Sequence, residues 1–155
     1  MSIIGPPVLT GVGKNLCPPL VLGENINNST GAWSSGAGST FMSSDYYIPV
    51  DFTTNSKYTL SYQLGSMPTA TRSIVYAYNS NKEFMGRNSG NNTRTRSVTS
   101  SSFTTAATSA TGPIAYLRVK LYNATFTAAM EAALKLQVEA GSATTYQRRG
   151  MIMVR

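Results

Sequence analysis

Residues 115–122, Ala-Tyr-Leu-Arg-Val-Lys-Leu-Tyr, alternate without a break. In an extended chain Ala115, Leu117, Val119 and Leu121 fall on one side, and Tyr116, Arg118, Lys120 and Tyr122 on the other. A period of two places one apolar side in a core and excludes an amphipathic helix over the same residues. The pattern recurs at Lys57–Gly65, where Tyr58, Leu60, Tyr62 and Leu64 oppose Thr59, Ser61 and Gln63, and at Leu134–Glu139. Arg72–Tyr78 is a third apolar run, closed by the turn-formers Asn79-Ser80-Asn81-Lys82. Residues 43–52 read as a strand that Pro49 demotes to an edge or an irregular position. Only residues 126–137 admit a short helix or turn. About eight short strands at regular spacing therefore predict an all-β, two-sheet antiparallel β-sandwich of the jelly-roll kind. Its expected core includes Leu60, Leu117, Val119, Leu136 and Val138.

A chain of 155 residues fits one domain and is long enough to bury a core. Its charged share of 12% is low, which alone would suit a loosely structured chain. Nine Tyr, five Phe and one Trp argue for folding instead, since disordered chains combine few aromatics with many charges. The chain divides into an apolar, Pro/Gly-rich arm at 1–13, the sandwich at 14–146 and a basic tail at 147–155. The opening Met-Ser-Ile-Ile-Gly-Pro-Pro lacks the basic start and apolar run of a signal peptide. No apolar stretch is long enough to span a membrane as a helix, so no membrane is expected as a partner.

The charge is uneven. Up to residue 86, Lys14, Lys57, Arg72 and Lys82 balance Glu24, Asp45, Asp51 and Glu83; beyond it, the other nine of the thirteen basic residues meet only Glu131 and Glu139. The net charge of +7 thus sits in the C-terminal half and points either to solubility alone or to an acidic partner. Nucleic acid is the weaker candidate, because the basic residues form no single run and no nucleic-acid module is visible.

Catalysis lacks its usual parts. There is no His to act as general base or metal ligand, and Cys17 has no His with which to form a dyad. Six carboxylates are scattered outside any catalytic motif, and no glycine-rich phosphate loop precedes a helix. The expectation is a protein that is not an enzyme and has neither cofactor nor metal. Glu139 alone raises the question of calcium, and six to eight oxygens cannot be assembled around it from the sequence.

Six segments in one order carry a resemblance: Lys-Asn-Leu at 14–16, Ser-Asp-Tyr-Tyr-Ile-Pro-Val at 44–50 and Tyr-Thr-Leu-Ser at 58–61, then Tyr-Ala-Tyr-Asn-Ser-Asn-Lys-Glu-Phe at 76–84, Tyr-Leu-Arg-Val at 116–119 and Gln-Val-Glu-Ala-Gly-Ser-Ala-Thr-Thr-Tyr at 137–146. Together they resemble the jelly-roll domain of bacteriophage tail, baseplate, fibre and decoration proteins, which is similar to carbohydrate-binding modules. The resemblance implies that the last strand ends at Gly141 and that the following segment packs Tyr146 back over the sandwich edge. It also implies a structural protein of the virion surface. The leading expectation is a capsid decoration (cement) protein partnered by other virion proteins, the major capsid protein first among them. The alternative is a tail or fibre module that recognises a host-surface glycan.

Candidate contact residues follow from these readings. Tyr116, Arg118, Lys120 and Tyr122 share one side of a strand and offer flat rings and charge-assisted hydrogen bonds to a sugar or an acidic protein. The same four side chains equally suit an ordinary solvated face. Trp33 either stacks on a sugar ring or caps the open end of the sandwich, the cap being the preferred reading. Arg148 and Arg149 extend the basic character into the tail. In the arm, Ile3, Ile4, Val8 and Leu9 have no evident place in a closed sandwich, which leads to an expected homo-oligomer, a trimer by preference.

Overall fold

The computed structural model describes residues 8–10, 15–35, 40–42, 46–63, 70–90, 95–105, 110–147 and 151–153. In chain order the strands are β1 (Val8–Thr10), β2 (Val21–Leu22), β3 (Glu24–Ile26), β4 (Trp33–Ser35), β5 (Thr40–Met42), β6 (Ile48–Pro49) and β7 (Tyr58–Ser61). They continue as β8 (Arg72–Tyr78), β9 (Phe84–Ser89), β10 (Thr95–Val98), β11 (Tyr116–Tyr122), β12 (Gln137–Ala140) and β13 (Met151–Met153). One short helix, α1 (Met130–Leu134), precedes β12. All strand pairs among the described residues are antiparallel.

The fold is an all-β sandwich. Its larger sheet has six strands, ordered β2-β5-β11-β8-β9 with β6 also paired to β11; the smaller has the order β10-β7-β12. Alternation decides what lies between them. Val75 and Ala77 of β8, Leu117, Val119 and Leu121 of β11 and Ile48 of β6 form one buried cluster with Tyr58 and Leu60 of β7, Val98 of β10 and Val138 of β12. Leu136 joins the same cluster, so all five expected core residues are buried. Leu64, expected on the Leu60 face, lies outside the described residues.

More strands form than the eight expected, because segments read as loops pair in short ribbons. Residues 24–35, rich in Gly, Ser and Asn, make the β3–β4 hairpin with Ile26 opposite Trp33. Turn chemistry closes it: Asn27 Oδ1 accepts the N–H groups of Ser29 (2.8 Å) and Thr30 (3.1 Å), and Gly31 takes the left-handed φ of +69°. At the sandwich edge, Arg96 of β10 reaches across to Ser73 Oγ of β8 (3.2 Å) and to Asn88 of β9. Gly90 makes room for it, since a Cβ there would lie 2.4 Å from Arg96 Nε.

The first and last segments of the sandwich are sewn together by Asn15, which is 1% exposed. Its Nδ2 donates to Leu136 O (3.1 Å) and Gln147 O (2.7 Å), while its Oδ1 accepts the N–H groups of Cys17 (3.0 Å) and Val138 (3.3 Å). The N–H of Leu16 adds a bond to Val138 O (2.8 Å). After Gly141 the chain folds back on β12. Thr144 donates its hydroxyl (2.6 Å) and its N–H (3.2 Å) to the buried Glu139 carboxylate, and Gln147 N–H donates to Gln137 Oε1 (2.8 Å). The expected closure thus runs through Thr144 and Gln147, whereas Tyr146 is 36% exposed.

The expected arm and tail meet: β1 pairs with β13, setting Val8 opposite Met153, Leu9 opposite Ile152 and Thr10 opposite Met151. Within the arm, Val8–Thr10 are therefore paired with Met151–Met153 of the tail of the same chain. Ile3, Ile4, Arg148 and Arg149 lie outside the described residues.

Candidate functional site

The outer side of the six-stranded sheet is a second, smaller core. Register brings its parts together. In the β11–β8 pair, Tyr116 lies opposite Tyr78, Arg118 opposite Tyr76, Lys120 opposite Ile74 and Tyr122 opposite Arg72; in the β8–β9 pair, Arg87 lies opposite Tyr76. Opposed residues of an antiparallel pair share a face. Arg72, Arg87, Arg118 and Lys120 therefore stand on one side of the sheet among tyrosines.

This face is covered, contrary to the expectation of an accessible basic-aromatic strand. Arg118 and Lys120 are only 6% and 5% exposed. Ile26 of the β3–β4 hairpin packs against Ile74, Tyr76 and Tyr78, with Tyr47, Phe84, Tyr116 and Tyr122 around them. Alternation showed that the Arg118 side differs from the Leu117 side, but the hairpin that covers it comes from residues about ninety positions away. Tyr116 and Tyr122 are half-buried.

Polar groups of the hairpin satisfy Lys120. Its Nζ donates to Asn25 Oδ1 (2.9 Å), Asn28 Oδ1 (3.3 Å) and Ile26 O (3.4 Å). Tyr76 and Tyr78 tie the hairpin down further, donating their hydroxyls to Asn28 Oδ1 (2.6 Å) and Gly31 O (3.0 Å). Burial pushes the Lys120 ammonium down to about 8, with the Arg87 charge adding to the effect. Burial pushes the Tyr78 hydroxyl up to about 12 against the opposing pull of Arg118, and it raises that of Tyr76 further.

Arg118 is held differently. Its guanidinium carbon lies 3.9 Å from the centroid of the Tyr47 ring and 5.3 Å from that of Tyr78. Such contacts contribute about 0.5–2 kcal/mol. Tyr47 is itself packed edge-on against Tyr78 (5.0 Å, 83°) and Tyr116 (5.8 Å, 72°), and Lys82 Nζ lies 5.1 Å from its centroid. Nη1 donates to the Tyr78 hydroxyl at 3.4 Å, but Nε is buried without a partner. Among the described residues neither Arg118 nor Lys120 has a carboxylate partner. The arrangement is an electropositive cluster lined with rings and closed over by the β3–β4 hairpin.

Of the expected site residues, the fold gathers Tyr116, Arg118, Lys120 and Tyr122 on this face. Trp33 sits on the covering hairpin and is 58% exposed, so it does not cap the sandwich by burial. Tyr47, Tyr76, Tyr78, Arg87, Asn25 and Asn28 belong to the cluster and were missed. The alternation of Tyr76 and Tyr78 with Val75 and Ala77 was the available signal for two of them. Among the described residues no group of three or more His, Cys, Asp or Glu side chains could hold a metal, and no helix is long and apolar enough to cross a membrane. Glu139, the calcium question of the sequence, spends its oxygens on Thr144 and Gln137. Comparison with protein-family models, with curated proteins and with solved structures returned no match.

Proposed function

We propose that this chain is a non-enzymatic bacteriophage virion structural protein, a capsid decoration (cement) protein that attaches to the assembled particle as a homo-oligomer. The observation that carries this reading is the β1–β13 ribbon. It joins Val8-Leu9-Thr10 to Met151-Ile152-Met153 as a two-stranded sheet outside both sheets of the sandwich. A two-stranded ribbon is marginal in water unless another surface covers it. Five of its six residues are apolar in sequence, and a neighbouring subunit or a capsid protein is the surface this reading assigns to them. The six ordered motifs that resemble phage jelly-roll domains support the same assignment.

The test is paired deletion. Removing residues 2–12 or residues 148–155 takes away one strand of the ribbon in each case, so both truncations should leave a folded sandwich and lose oligomerisation and particle binding to the same degree. Either truncated protein assembling and binding particles normally would refute the reading. If the basic half docks on an acidic particle surface, binding should also weaken with salt, because exposed charges are screened over about 8–10 Å near physiological ionic strength.

A second reading, glycan recognition by a tail or fibre module, is favoured by one observation. Trp33 is a large ring left 58% exposed on the hairpin that covers the tyrosine cluster. Replacing Trp33 with Ala should abolish binding on a glycan array if this reading is right. The same variant should leave particle binding unchanged if the first is.

A further inference from the structure

We propose that the outer side of the six-stranded sheet, which presents Arg72, Lys82 and Arg87 to solvent, is the surface that docks on an acidic protein of the particle. This inference deepens the decoration reading and rests on it.

The sandwich is electrically one-sided. Register places Arg72, Arg87, Arg118 and Lys120 on the outer side of the larger sheet. Lys82 leans over the end of the same side, 5.1 Å and 5.8 Å from the ring centroids of Tyr47 and Tyr116. Of the eight basic residues among those described, five therefore belong here. Two carboxylates accompany them, Glu24 in the covering hairpin and Glu83 beside Lys82. The outer side of the smaller sheet is the converse. There Ser97 and Glu139 lie opposite Thr59, and Thr95 and Gln137 lie opposite Ser61, so these paired positions hold one carboxylate and no cation.

Accessibility separates the five cations. Arg72 and Lys82 are exposed and Arg87 is half-buried. Among the described residues no hydrogen bond or ion pair engages the guanidinium of Arg72 or Arg87, whereas Arg96 spends its own on Ser73 and Asn88. Arg118 and Lys120, at 6% and 5% exposed, are too deep to touch a partner. They have no carboxylate beside them, however, and salt screens a buried charge less than an exposed one. Their field adds to that of the three accessible cations, which turns a buried cluster into part of a surface potential.

Spacing selects the partner. Arg72 lies six residues, or about 20 Å, from the Tyr78 end of β8, and Arg87 stands one strand across, opposite Tyr76. A face of that length suits the roughly 800 Å² that each partner of a specific protein complex covers. Its accessible charges are spread along the strands instead of converging, so carboxylates distributed over a broad surface meet them better than one compact anion does. Duplex nucleic acid carries one charge per about 1.7 Å, roughly 12 over the same length, which three accessible cations cannot match.

The test compares two double reversals that lower the net charge equally. Arg72→Glu with Arg87→Glu alters one exposed and one half-buried cation on this face; Lys135→Glu with Lys57→Glu alters one of each outside it. With poly-L-glutamate as the probe at low salt, the first pair should weaken binding at least about tenfold and the second no more than about twofold. Backbone ¹H–¹⁵N shifts of the wild type should fall on β8, β9 and the turn that holds Lys82. If the reversals do not fold, Arg72→Gln with Arg87→Gln should still weaken binding about three- to fivefold. Equal losses in the two pairs would overturn the proposal, because affinity would then follow net charge alone. Shifts confined to residues 148–155 would overturn it by placing the contact in the basic tail. A duplex oligonucleotide that binds more tightly than polyglutamate and shifts the same residues would overturn the protein partner. On assembled particles, Arg72→Glu with Arg87→Glu should lose binding while still oligomerising. Retained particle binding by that variant, with both ribbon truncations failing to bind, would overturn this face and leave the decoration reading standing.

Discussion

Replacing Asn15 with Ala should cost about 3–5 kcal/mol. The residue is 1% exposed and uses both ends of its amide, donating to Leu136 O and Gln147 O and accepting from Cys17 and Val138 N–H. Alanine takes a hydrogen bond from each of three buried groups, the Cys17 and Val138 N–H and the Leu136 carbonyl; Gln147 O is nearer solvent and can turn to water. Each buried hydrogen bond lost in this way costs about 1–3 kcal/mol, and some relaxation brings the three to the stated sum. That is a large part of the roughly 5–15 kcal/mol that holds a domain together. In urea, with a slope of about 2 kcal/mol/M, the midpoint should fall by about 1.5–2.5 M while the slope stays unchanged. Hydrogen exchange supplies a second measurement, because the Cys17 and Val138 amides should lose protection first. Asn15→Asp should be no better at neutral pH, since it turns the donor toward Leu136 O and Gln147 O into an acceptor. A loss below about 1 kcal/mol with protection intact would refute the claim that this amide closes the sandwich.

Three further outcomes follow from burial. Leu117 is 0% exposed between the sheets, and Leu117→Ala should cost about 2–5 kcal/mol in urea unfolding. Arg118→Glu should prevent folding, as it would place an unpaired carboxylate among the tyrosines, whereas the exposed Lys82→Glu should change stability by no more than about 0.5 kcal/mol; circular dichroism and thermal melts distinguish the two. Stability should rise from about pH 8 towards 10, because Lys120 loses its proton near 8 in the folded chain while the unfolded chain still holds it up to its ordinary value of 10.5. Beyond pH 10 the trend should reverse, since Tyr78 and Tyr76 keep their protons in the folded state after the unfolded chain has lost them, and Lys120→Met should abolish the rise but not the fall.

How far the sequence disclosed this molecule depends on whether a signal is local. Leu117, Val119 and Leu121 sit in a strict period of two, and the backbone had no other way to bury them, so the core face of β11 was legible from eight residues. The opposite face obeys the same period, and there the pattern falls silent. Alternation separates two sides of a strand and says nothing of what lies beyond either. Whether Arg118 and Lys120 meet water depends on Asn25, Ile26 and Asn28, whose hairpin forms because Asn27 and Gly31 close a turn inside a stretch that composition alone reads as loop. The pairing of Val8-Leu9-Thr10 with Met151-Ile152-Met153 is hidden for the same reason, since no period connects segments at opposite ends of a chain. The buried cations were nonetheless written in the sequence in one respect. Tyr76 and Tyr78 on β8 and Tyr116 and Tyr122 on β11 alternate in step, and antiparallel register with a common face sets their rings around whatever lies between. Tyr76 and Tyr78 at successive outer positions of β8, facing a β11 side that begins and ends in Tyr116 and Tyr122, gather more apolar area than a solvated face needs. That excess, more than the charge, is the mark of a covered cluster, and it explains why Arg118 and Lys120 are lodged among rings instead of beside carboxylates.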